Sequence, residues 1–208
     1  MIPNQLFITG TSTGVGKTYI STLLLGHWRA KGLPCAGFKP ICCGDRDDAQ
    51  ALLAASLAPN LTLNDVNPLW YRLPAAPYAA ALVENRPADL TQIRQTFTRL
   101  SAEYPNLVVE GVGGWEVPIN RDMTMADLAE EFALPVVVVV SNVLGALNHT
   151  ILTVKNLRAR GMECAGLVLN SITDERDAAS ITNRGILEDV LGVPVLAEVL
   201  FGETLLEL

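Results

Sequence analysis

Short apolar runs alternate along this chain with longer stretches in which apolar residues recur at helical spacing. Uninterrupted apolar runs bounded by turn residues are typical of strands that are buried on both faces of a parallel sheet. Six strands are predicted on this basis, at residues 6–9, 35–39, 107–110, 136–140, 166–169 and 195–199. Six helices are predicted between them and beyond, at residues 17–31, 47–58, 91–104, 125–132, 146–160 and 178–191.

Strands and helices that alternate in this way indicate an α/β fold, with a mostly parallel sheet and helices on both faces in a three-layer α/β/α arrangement. Three predicted helices are followed by a glycine, at which helices commonly end: Gly32, Gly161 and Gly192. No internal repeat or flexible linker divides the chain, which favours a single domain over residues 1–208. The proline-rich segment 67–87 is interpreted as a long loop with about one helical turn, and such loops often contact substrate.

The composition argues against two classes of binding partner, nucleic acids and membranes. Half of the 208 residues are hydrophobic, the formal net charge is −7, and basic residues form no run. An acidic chain without a basic stripe is a poor match for nucleic acid or for an anionic membrane surface. The longest apolar run, at residues 133–140, is too short to cross a bilayer. Cysteines without the spacing of a zinc site or a redox pair suit a reducing cytoplasm; they are Cys35, Cys42, Cys43 and Cys164.

The sequence GTSTGVGKT, at residues 10–18, follows the first predicted strand directly and opens the first predicted helix. This is the context of a phosphate-binding loop, in which glycines let successive backbone N–H groups point at one anion and the helix N-terminus adds positive potential. Lys17 is expected to bridge the β- and γ-phosphates, and the Thr18 hydroxyl to bind Mg²⁺. Five residues separate Gly10 from Gly16, where the common motif has four. The sequence therefore predicts a P-loop NTPase-like domain with an unusual loop.

Carboxylates that could hold Mg²⁺ beside the phosphates occur at two places. Glu110 ends a predicted strand and is followed by the turn GVGG, whose backbone can approach a ligand closely. Asp48 lies at the start of a predicted helix, where Asp is an ordinary residue, and Asp45 and Asp47 are equal candidates by position. Position alone thus favours Glu110 as a functional acid and leaves the second acid open.

Lys39 ends the second predicted strand in the sequence FKP. A lysine at the carboxyl end of a central strand would lie beside the phosphate loop, because ligands of α/β sheets bind at that edge. Its charge could stabilise the negative charge that develops during phosphoryl transfer. A solvated surface lysine fits the local sequence equally well, so both interpretations stay open at this point.

Six segments together resemble the dethiobiotin synthetase family. They are GTSTGVGKT (10–18), AGFKP (36–40), DAQAL (48–52), VEGVGGW (109–115), LGALNH (144–149) and GLVLN (166–170). These segments occur in family order and span nearly the whole chain. The loop spacing, the strand-end Lys-Pro and the Glu-Gly-x-Gly-Gly-Trp turn are specific in combination, although none is specific alone.

The resemblance implies an ATP- and Mg²⁺-dependent ligase that forms the ureido ring of dethiobiotin from 7,8-diaminononanoate and CO₂. One amine would become a carbamate, ATP would phosphorylate it, and the second amine would displace phosphate from the carbamic–phosphoric anhydride. The products besides dethiobiotin would be ADP and phosphate. The implied catalytic residues are Lys39, Lys17 and Thr13. The implied Mg²⁺ ligands are Thr18, Asp48 and Glu110.

The resemblance also implies where nucleotide and substrate bind. Asn170 would contact the base, and the full set expected at the nucleotide is Gly14, Val15, Gly16, Lys17, Thr18, Tyr19, Asp48, Glu110, Gly111, Val112, Gly113, Asn170 and Ser171. Cys43, Gly145 and Asn148 are expected at the diamine substrate. In the family, the helix that begins near Gly145 comes from the neighbouring subunit and offers its free N–H groups to the substrate carboxylate. A homodimer with its substrate sites at the interface is therefore expected.

Two features depart from the family pattern. Cys43 stands where the family usually has a serine near the substrate, and a thiol is the weaker hydrogen-bond donor. The sequence stops at Leu208, whereas relatives typically continue through a loop and a helix that help to enclose the base. The contact made by Cys43 and the selectivity for the base therefore stay open.

A partition-type ATPase, a nucleotide switch that acts through protein partners, is the main alternative from the loop alone. Those ATPases carry an additional lysine early in the loop, at the place that Ser12 occupies here. Amide-forming synthetases of the cobyrinate type share the same core, but they carry an added glutaminase domain for which 208 residues leave no room. The sequence thus favours the ligase over both.

Overall fold

The computed structural model describes residues 2–205, which contain eight strands and eight helices. The strands are β1 (Gln5–Gly10), β2 (Cys35–Phe38), β3 (Ile41–Cys43), β4 (Leu69–Tyr71), β5 (Asn106–Glu110), β6 (Val136–Ser141), β7 (Cys164–Asn170) and β8 (Val195–Val199). The helices are α1 (Lys17–Ala30), α2 (Asp47–Ala55), α3 (Leu63–Val66), α4 (Pro77–Val83), α5 (Leu90–Glu103), α6 (Met125–Phe132), α7 (Ala146–Ala159) and α8 (Ala178–Leu191). None of these helices has both the length and the apolar character needed to cross a membrane. The chain end at Leu208, noted above, lies outside the described residues.

Within residues 2–205, six strands form one parallel sheet in the order β2-β5-β1-β6-β7-β8. β5 is buried along its whole length, and β6 is buried up to its last residue, as expected for central strands covered on both faces. The strands β3 and β4 form a separate parallel pair. The predicted α/β class with a mostly parallel sheet is confirmed.

Helices cover both faces of the sheet, as two neighbouring residues of β2 show. Successive side chains of a strand point to opposite faces. A Cβ added to Gly37 would press against Leu25 of α1 and Leu52 of α2. Phe38, the next residue, stacks against Phe97 of α5 instead. The three-layer arrangement predicted from the sequence is therefore present.

All six predicted strands and all six predicted helices occur among the described residues, and their ends differ from the prediction by at most a few positions. The interpretation of residues 67–87 as a long loop with about one helical turn is right in expecting a helical segment, which is α4, but it misses the strand β4. Pro77 is the first residue of α4, where its fixed φ and missing N–H suit the start of a helix. β4 has only three residues, which are too few for an apolar period to show. The short elements β3 and α3 were missed for the same reason.

The order and direction of the strands bring distant chain segments to one edge of the sheet. The loop after β1, Glu110 at the end of β5 and Asn170 at the end of β7 all lie at the carboxyl edge. α7 begins at the same edge, after β6. Ligands of open α/β sheets bind at this edge, so candidate residues that are far apart in sequence can meet there.

Candidate active site

The loop between β1 and α1 has a shape that glycine alone suits at two positions. Gly14 and Gly16 have φ values of +78° and +88°, in the left-handed region that other residues rarely adopt. A Cβ on Gly16 would also collide with the side-chain amide of Asn170. Because α1 begins immediately afterwards, at Lys17, its first N–H groups face the loop. The loop thus has the backbone shape that a phosphate cradle requires.

Asn170 ties the end of β7 to this loop. Its side-chain Nδ2 donates to the Val15 carbonyl at 2.9 Å, and the residue is only 3% exposed. Its other side-chain atom, Oδ1, is buried and has no hydrogen-bond partner within the described part of the chain. A buried acceptor without a partner is unfavourable, so Asn170 Oδ1 is suited to accept a hydrogen bond from a ligand.

Lys39 lies between two carboxylates, one residue beyond β2. Its Nζ is 2.5 Å from Glu110 Oε1 and 2.8 Å from Asp48 Oδ2. Lys39 and Glu110 are buried, whereas the Asp48 side chain is half exposed. Position in the sequence left Asp45, Asp47 and Asp48 as equal candidates, and the structure places Asp48 in the cluster. Because Lys39 is buried, it is not a solvated surface lysine.

Thr18 joins this cluster from the first turn of α1. Its hydroxyl donates to Glu110 Oε1 at 2.7 Å. The second oxygen of Glu110, Oε2, is buried and lacks a hydrogen-bond partner among residues 2–205. Mg²⁺ fits this arrangement, because it binds one or two carboxylates together with phosphate and water oxygens. The described residues contain no group of three or more His, Cys, Asp or Glu side chains placed to hold a metal, so a site built from such side chains alone is not indicated there.

The charges of the cluster shift one another's pKa values. Burial acts to lower the pKa of Lys39, but the carboxylates of Glu110 and Asp48 outweigh it and raise that pKa above its ordinary value. Burial acts to raise the pKa of Asp48, which Lys39 and Thr18 nevertheless hold below its ordinary value. Burial and then the Lys39 ammonium lower the pKa of Lys17 to about 8. Lys39 is therefore firmly charged, and an anion bound in the loop would favour the charged form of Lys17 as well.

A cavity of about 380 Å³ opens beside the loop and the end of β3. Its lining residues are Thr13, Cys43, Pro74, Ala75, Ala76, Pro77, Val112, Gly113 and Val117. Thr13 and Cys43 contribute polar side-chain atoms, whereas most of the other side chains are apolar. Burial, followed by the nearby charge of Glu84, raises the pKa of the Cys43 thiol to about 11. The thiol is therefore neutral near pH 7, and the segment 67–87 supplies part of the cavity wall.

The start of α7 lies at the same edge of the sheet but outside the Lys39 cluster. Gly145 precedes the helix with a φ of +95° and has no side chain with which to cap it. Asn148, in the first turn, is exposed, as is Gly145. Within residues 2–205, neither residue hydrogen-bonds to a member of the cluster. The predicted substrate residues are thus divided between the cavity, which Cys43 lines, and a separate helix start.

Two other predicted nucleotide residues contact the end of β8 and the chain that follows it. The hydroxyl of Tyr19, on α1, donates to the carbonyl of Glu203. The N–H of Ser171, just after β7, donates to the carbonyl of Val199 at 2.8 Å. These contacts place residues 199–205 on the side of the loop where Asn170 lies.

Sequence reasoning missed two residues that lie behind the cluster. Arg46 Nε donates to Asn67 Oδ1 at 3.0 Å, and Asn67 Nδ2 donates to the carbonyl of Lys39 at 2.9 Å. Neither residue belongs to one of the six matching segments. Asn67 is also the first residue of the proline-rich segment 67–87. No local sequence signal marks either residue, because both act through contacts with residues distant in the chain.

Comparison with protein families and named proteins gives consistent matches. The profile of the AAA domain family matches residues 4–205. The ATP-dependent dethiobiotin synthetase BioD of Akkermansia muciniphila is 44% identical over 204 residues, which cover 98% of this chain and 95% of that protein. The protein of the same name from Methanococcus vannielii is 39% identical and covers 82% of this chain and 80% of its own length. The one from Aquifex aeolicus is 38% identical, with coverages of 91% and 86%.

Solved structures of low sequence identity share the fold of this chain. MinD from Pyrococcus horikoshii OT3, solved with Mg-ADP, superposes with a TM-score of 0.59 at 16% identity, and the match covers 96% of this chain and 82% of that one. A ParA family ATPase from Chlorobium tepidum TLS gives a TM-score of 0.57 at 13% identity, with coverages of 96% and 86%. At such identities the likeness shows a shared P-loop fold alone.

Proposed function

Because this chain belongs to the ATP-dependent dethiobiotin synthetase family, we propose that it closes the ureido ring of dethiobiotin on 7,8-diaminononanoate with CO₂. As a member of this family, the protein is an ATP-dependent ligase of biotin synthesis. In the proposed reaction, one amine attacks CO₂ and gives a carbamate. The carbamate oxygen attacks the γ-phosphorus of ATP and releases ADP. The second amine then attacks the carbonyl carbon of the anhydride, which releases phosphate and closes the ring.

The observation that carries this proposal is the buried ammonium of Lys39 beside the phosphate loop. Its Nζ lies 2.5 Å from Glu110 Oε1, and the two side chains are 2% and 0% exposed. The carbamate and the anhydride are both anionic and labile in water, so their formation requires a cation in a site that excludes water. Lys39 would stabilise the carbamate, and Lys17, from the loop, would stabilise the transferring phosphoryl group.

Thr18, Asp48 and Glu110 would hold the Mg²⁺ that accompanies ATP. The buried Oε2 of Glu110, which is unpaired within the described residues, supports this assignment. So does the Thr18 hydroxyl, 2.7 Å from the other carboxylate oxygen. Mg²⁺ bound there would neutralise charge between the β- and γ-phosphates. Lys39, whose ammonium contacts both carboxylates, would present its charge to a carbamate bound beside them.

The diamine is proposed to occupy the cavity of about 380 Å³ beside the loop. Its mostly apolar wall suits an aliphatic chain, and its size lies in the range of small-molecule sites. Thr13 lines this cavity from the loop, and Cys43 lines it from the end of β3. Because the neutral thiol donates hydrogen bonds weakly, Thr13 would be the stronger polar contact of the two.

The base of ATP is proposed to contact Asn170. Its Oδ1, buried and lacking a partner in the described range, would accept a hydrogen bond from the exocyclic amine of adenine. The phosphates would lie along the N–H groups of Gly14, Val15 and Gly16. The other residues that we place at the nucleotide are Tyr19, Gly111, Val112, Gly113 and Ser171.

The substrate carboxylate is proposed to bind at the start of α7 from a second copy of the chain. Gly145 cannot cap the helix with a side chain, so N–H groups near Asn148 remain free for an anion. Leu144 and Leu152, beside this helix start and on the helix, are 83% and 60% exposed. In the proposed dimer, the second copy would cover these two side chains. Sedimentation should give a homodimer at micromolar concentration, and a monomer would argue against a shared site.

We further propose that residues 1–208 form one domain and that the enzyme acts in the cytoplasm. The buried hydrophobic residues of the described range form one core cluster, and the cysteines are free, which suits a reducing compartment. Limited proteolysis that released a separately folded fragment would contradict the single domain. Fractionation that recovered the protein outside the cytoplasm would contradict the location.

The direct test combines the purified protein with ATP, Mg²⁺, ¹³C-labelled bicarbonate and the diamine. We expect phosphate release that requires both bicarbonate and diamine, with labelled dethiobiotin detected by mass spectrometry. Phosphate release that is unchanged when the diamine is omitted would favour the alternative, a partition-type switch. The shared fold with ParA and MinD ATPases does not separate the two functions, whereas Ser12 in place of their additional lysine favours the ligase.

A further inference from the structure

Asn67 is a buried polar residue whose side chain is fully engaged, although it does not line the site. It is 2% exposed. Its Nδ2 donates to the carbonyls of Lys39 at 2.9 Å and Leu69 at 2.8 Å, and its Oδ1 accepts from Arg46 Nε at 3.0 Å. Every side-chain polar atom of Asn67 therefore links one segment of the chain to another.

The main chain of Lys39 depends on the end of α3 for its hydrogen bonds. The parallel ladder of β2 with β5 ends one residue earlier, at the pair Phe38–Val109. The Lys39 N–H donates to the carbonyl of Val66 at 2.7 Å, and its carbonyl accepts from Asn67. Two successive residues, Val66 and Asn67, thus supply the hydrogen-bond partners of both backbone groups of Lys39.

The side-chain amide of Asn67 is also connected to the start of α2, the helix that carries Asp48. Arg46 immediately precedes α2, and its carbonyl accepts the N–H of Gln50 at 2.9 Å, as part of the first helical turn. The Arg46 guanidinium donates to the Asn67 side chain at 3.0 Å and to the Asn67 carbonyl at 2.8 Å. One buried side chain therefore fixes the backbone of Lys39 relative to the helix of its ion-pair partner.

From this geometry we infer that Asn67 is a positioning residue that sets the Lys39 ammonium relative to Asp48 and Glu110. This inference rests on the proposed role of Lys39 in turnover. A lysine side chain is long and flexible, so the placement of its charge depends on how its backbone is held. A misplacement of about 1 Å in a catalytic group can cost on the order of a hundredfold in rate. Loss of Asn67 should therefore lower kcat and leave nucleotide affinity, which the loop supplies, largely unchanged.

The test compares Asn67→Ala with a matched control, Asn106→Ala. Asn106 is also buried, at 5% exposure, and its Nδ2 donates to the Pro34 carbonyl at 2.8 Å, just before β2 begins. It supports the same strand from the opposite end. We expect Asn67→Ala to lower kcat about tenfold or more, with KM for ATP within about twofold of wild type. Asn106→Ala should retain kcat even where its Tm falls equally.

A second readout reports on the lysine itself, without metal or substrate. In protein labelled with ¹⁵N at lysine Nζ, the buried Lys39 ammonium should give an NMR signal protected from exchange with water. Asn67→Ala should shift or broaden this signal, and Asn106→Ala should leave it unchanged. If both variants lose kcat equally, and in proportion to their decrease in Tm, Asn67 has only a structural role and the inference is overturned. Wild-type kcat in Asn67→Ala would overturn it as well.

If Asn67→Ala does not fold, the variant Arg46→Met tests the inference in its place. This change removes the guanidinium that holds Asn67, together with its contact over the Trp70 ring, and keeps an apolar side chain of similar reach. A several-fold loss of kcat supports the inference, and an unchanged kcat contradicts it. If Asn67→Ala does fold, the double variant should lose less than the sum of the two single losses, because both changes break the side-chain contact between Arg46 and Asn67. Normal turnover in Lys39→Met would instead refute the proposed role of Lys39, independently of these results.

Discussion

Two clusters in this molecule each gather several carboxylates around one cation, and they differ mainly in burial. Among the described residues, Lys39 pairs with Glu110 and Asp48 at the carboxyl edge of the sheet. Arg160, at the end of α7, pairs with three carboxylates, which belong to Glu116, Asp127 and Glu130. Lys39 is 2% exposed and Arg160 24%. Of the Lys39 partners, Glu110 is 0% and Asp48 50% exposed, whereas all three carboxylates around Arg160 are 36% to 53% exposed. The cluster with more ion pairs is therefore the more solvated one.

The comparison shows that burial, and not the number of ion pairs, decides what a charge cluster can do. Exposed pairs are screened by water and contribute about 0–1 kcal/mol each. Arg160 accordingly serves to hold α7 beside α6 and the turn after β5. A buried ammonium such as that of Lys39 acts in a medium of lower dielectric constant, where its field on a nearby anion is much stronger. That property suits catalysis, and it also makes the removal of either buried partner costly.

The largest effect is expected from Lys39→Met, which keeps the length of the side chain and removes its charge. Turnover should fall by a factor on the order of 10²–10³, because a preorganised cation is lost from the reacting groups. Without metal, unfolding free energy should fall by roughly 3–5 kcal/mol, since Glu110 is left buried without its cation. Steady-state kinetics and urea unfolding measure the two effects. Lys155→Met, at an exposed lysine of α7, is the matched control and should change neither turnover nor unfolding free energy. Near-normal turnover in Lys39→Met would show that Lys39 takes no part in the mechanism.

An intermediate effect is expected in the acid titration of Asp48. Its pKa in the folded protein lies below the ordinary value of 3.8, chiefly because Lys39 outweighs the opposing influence of burial. The ionised carboxylate therefore stabilises the fold above pH 3.8, and this contribution is lost as the pH falls through the lowered pKa. In Lys39→Met the pKa of Asp48 should rise, so the loss should begin at higher pH. Carboxyl ¹³C NMR of wild type and variant checks this, and an unchanged pKa would show that the pair is absent in solution.

The smallest effect is expected from Arg160→Met. Although three ion pairs are lost, all three partners remain solvated, so the unfolding free energy should fall by only about 1 kcal/mol. For a chain of this size, that corresponds to a decrease in Tm of roughly 2–4 °C. Turnover should stay within about twofold of wild type, since Arg160 lies outside the proposed site. Calorimetry and kinetics test this expectation, and a loss comparable to that of Lys39→Met would invalidate the distinction between the two clusters.

Much of the fold follows from local pattern. The run of valines in β6 and the glycines at the ends of α1, α7 and α8 identify their elements without tertiary information. The phosphate loop is equally local, because its strand, glycines and helix start are adjacent in the chain. β3, β4, α3 and α4 are too short for a period to be read, and their existence depends on packing against the rest of the fold.

Parts of the site could not be derived from local pattern in the same way. By position alone Asp48 is equivalent to Asp45 and Asp47; the family resemblance selects it, and the structure places it 2.8 Å from Lys39. Asn67 carried no signal at all, because its role consists of contacts with Lys39 and Arg46, neither of which is its neighbour in sequence. The cavity wall formed by residues 74–77 was expected as a loop but includes the first residue of α4.

By itself, the sequence determined that this chain has a parallel α/β sheet and a loop able to bind phosphate, since both depend on the spacing of residues along a short stretch. The tertiary structure alone decided that the Lys39 ammonium meets Glu110, a residue 71 positions away, and that Asn67 supports it from behind. Such contacts depend on the order of strands in the sheet and on how side chains pack. Spacing along the chain specifies neither.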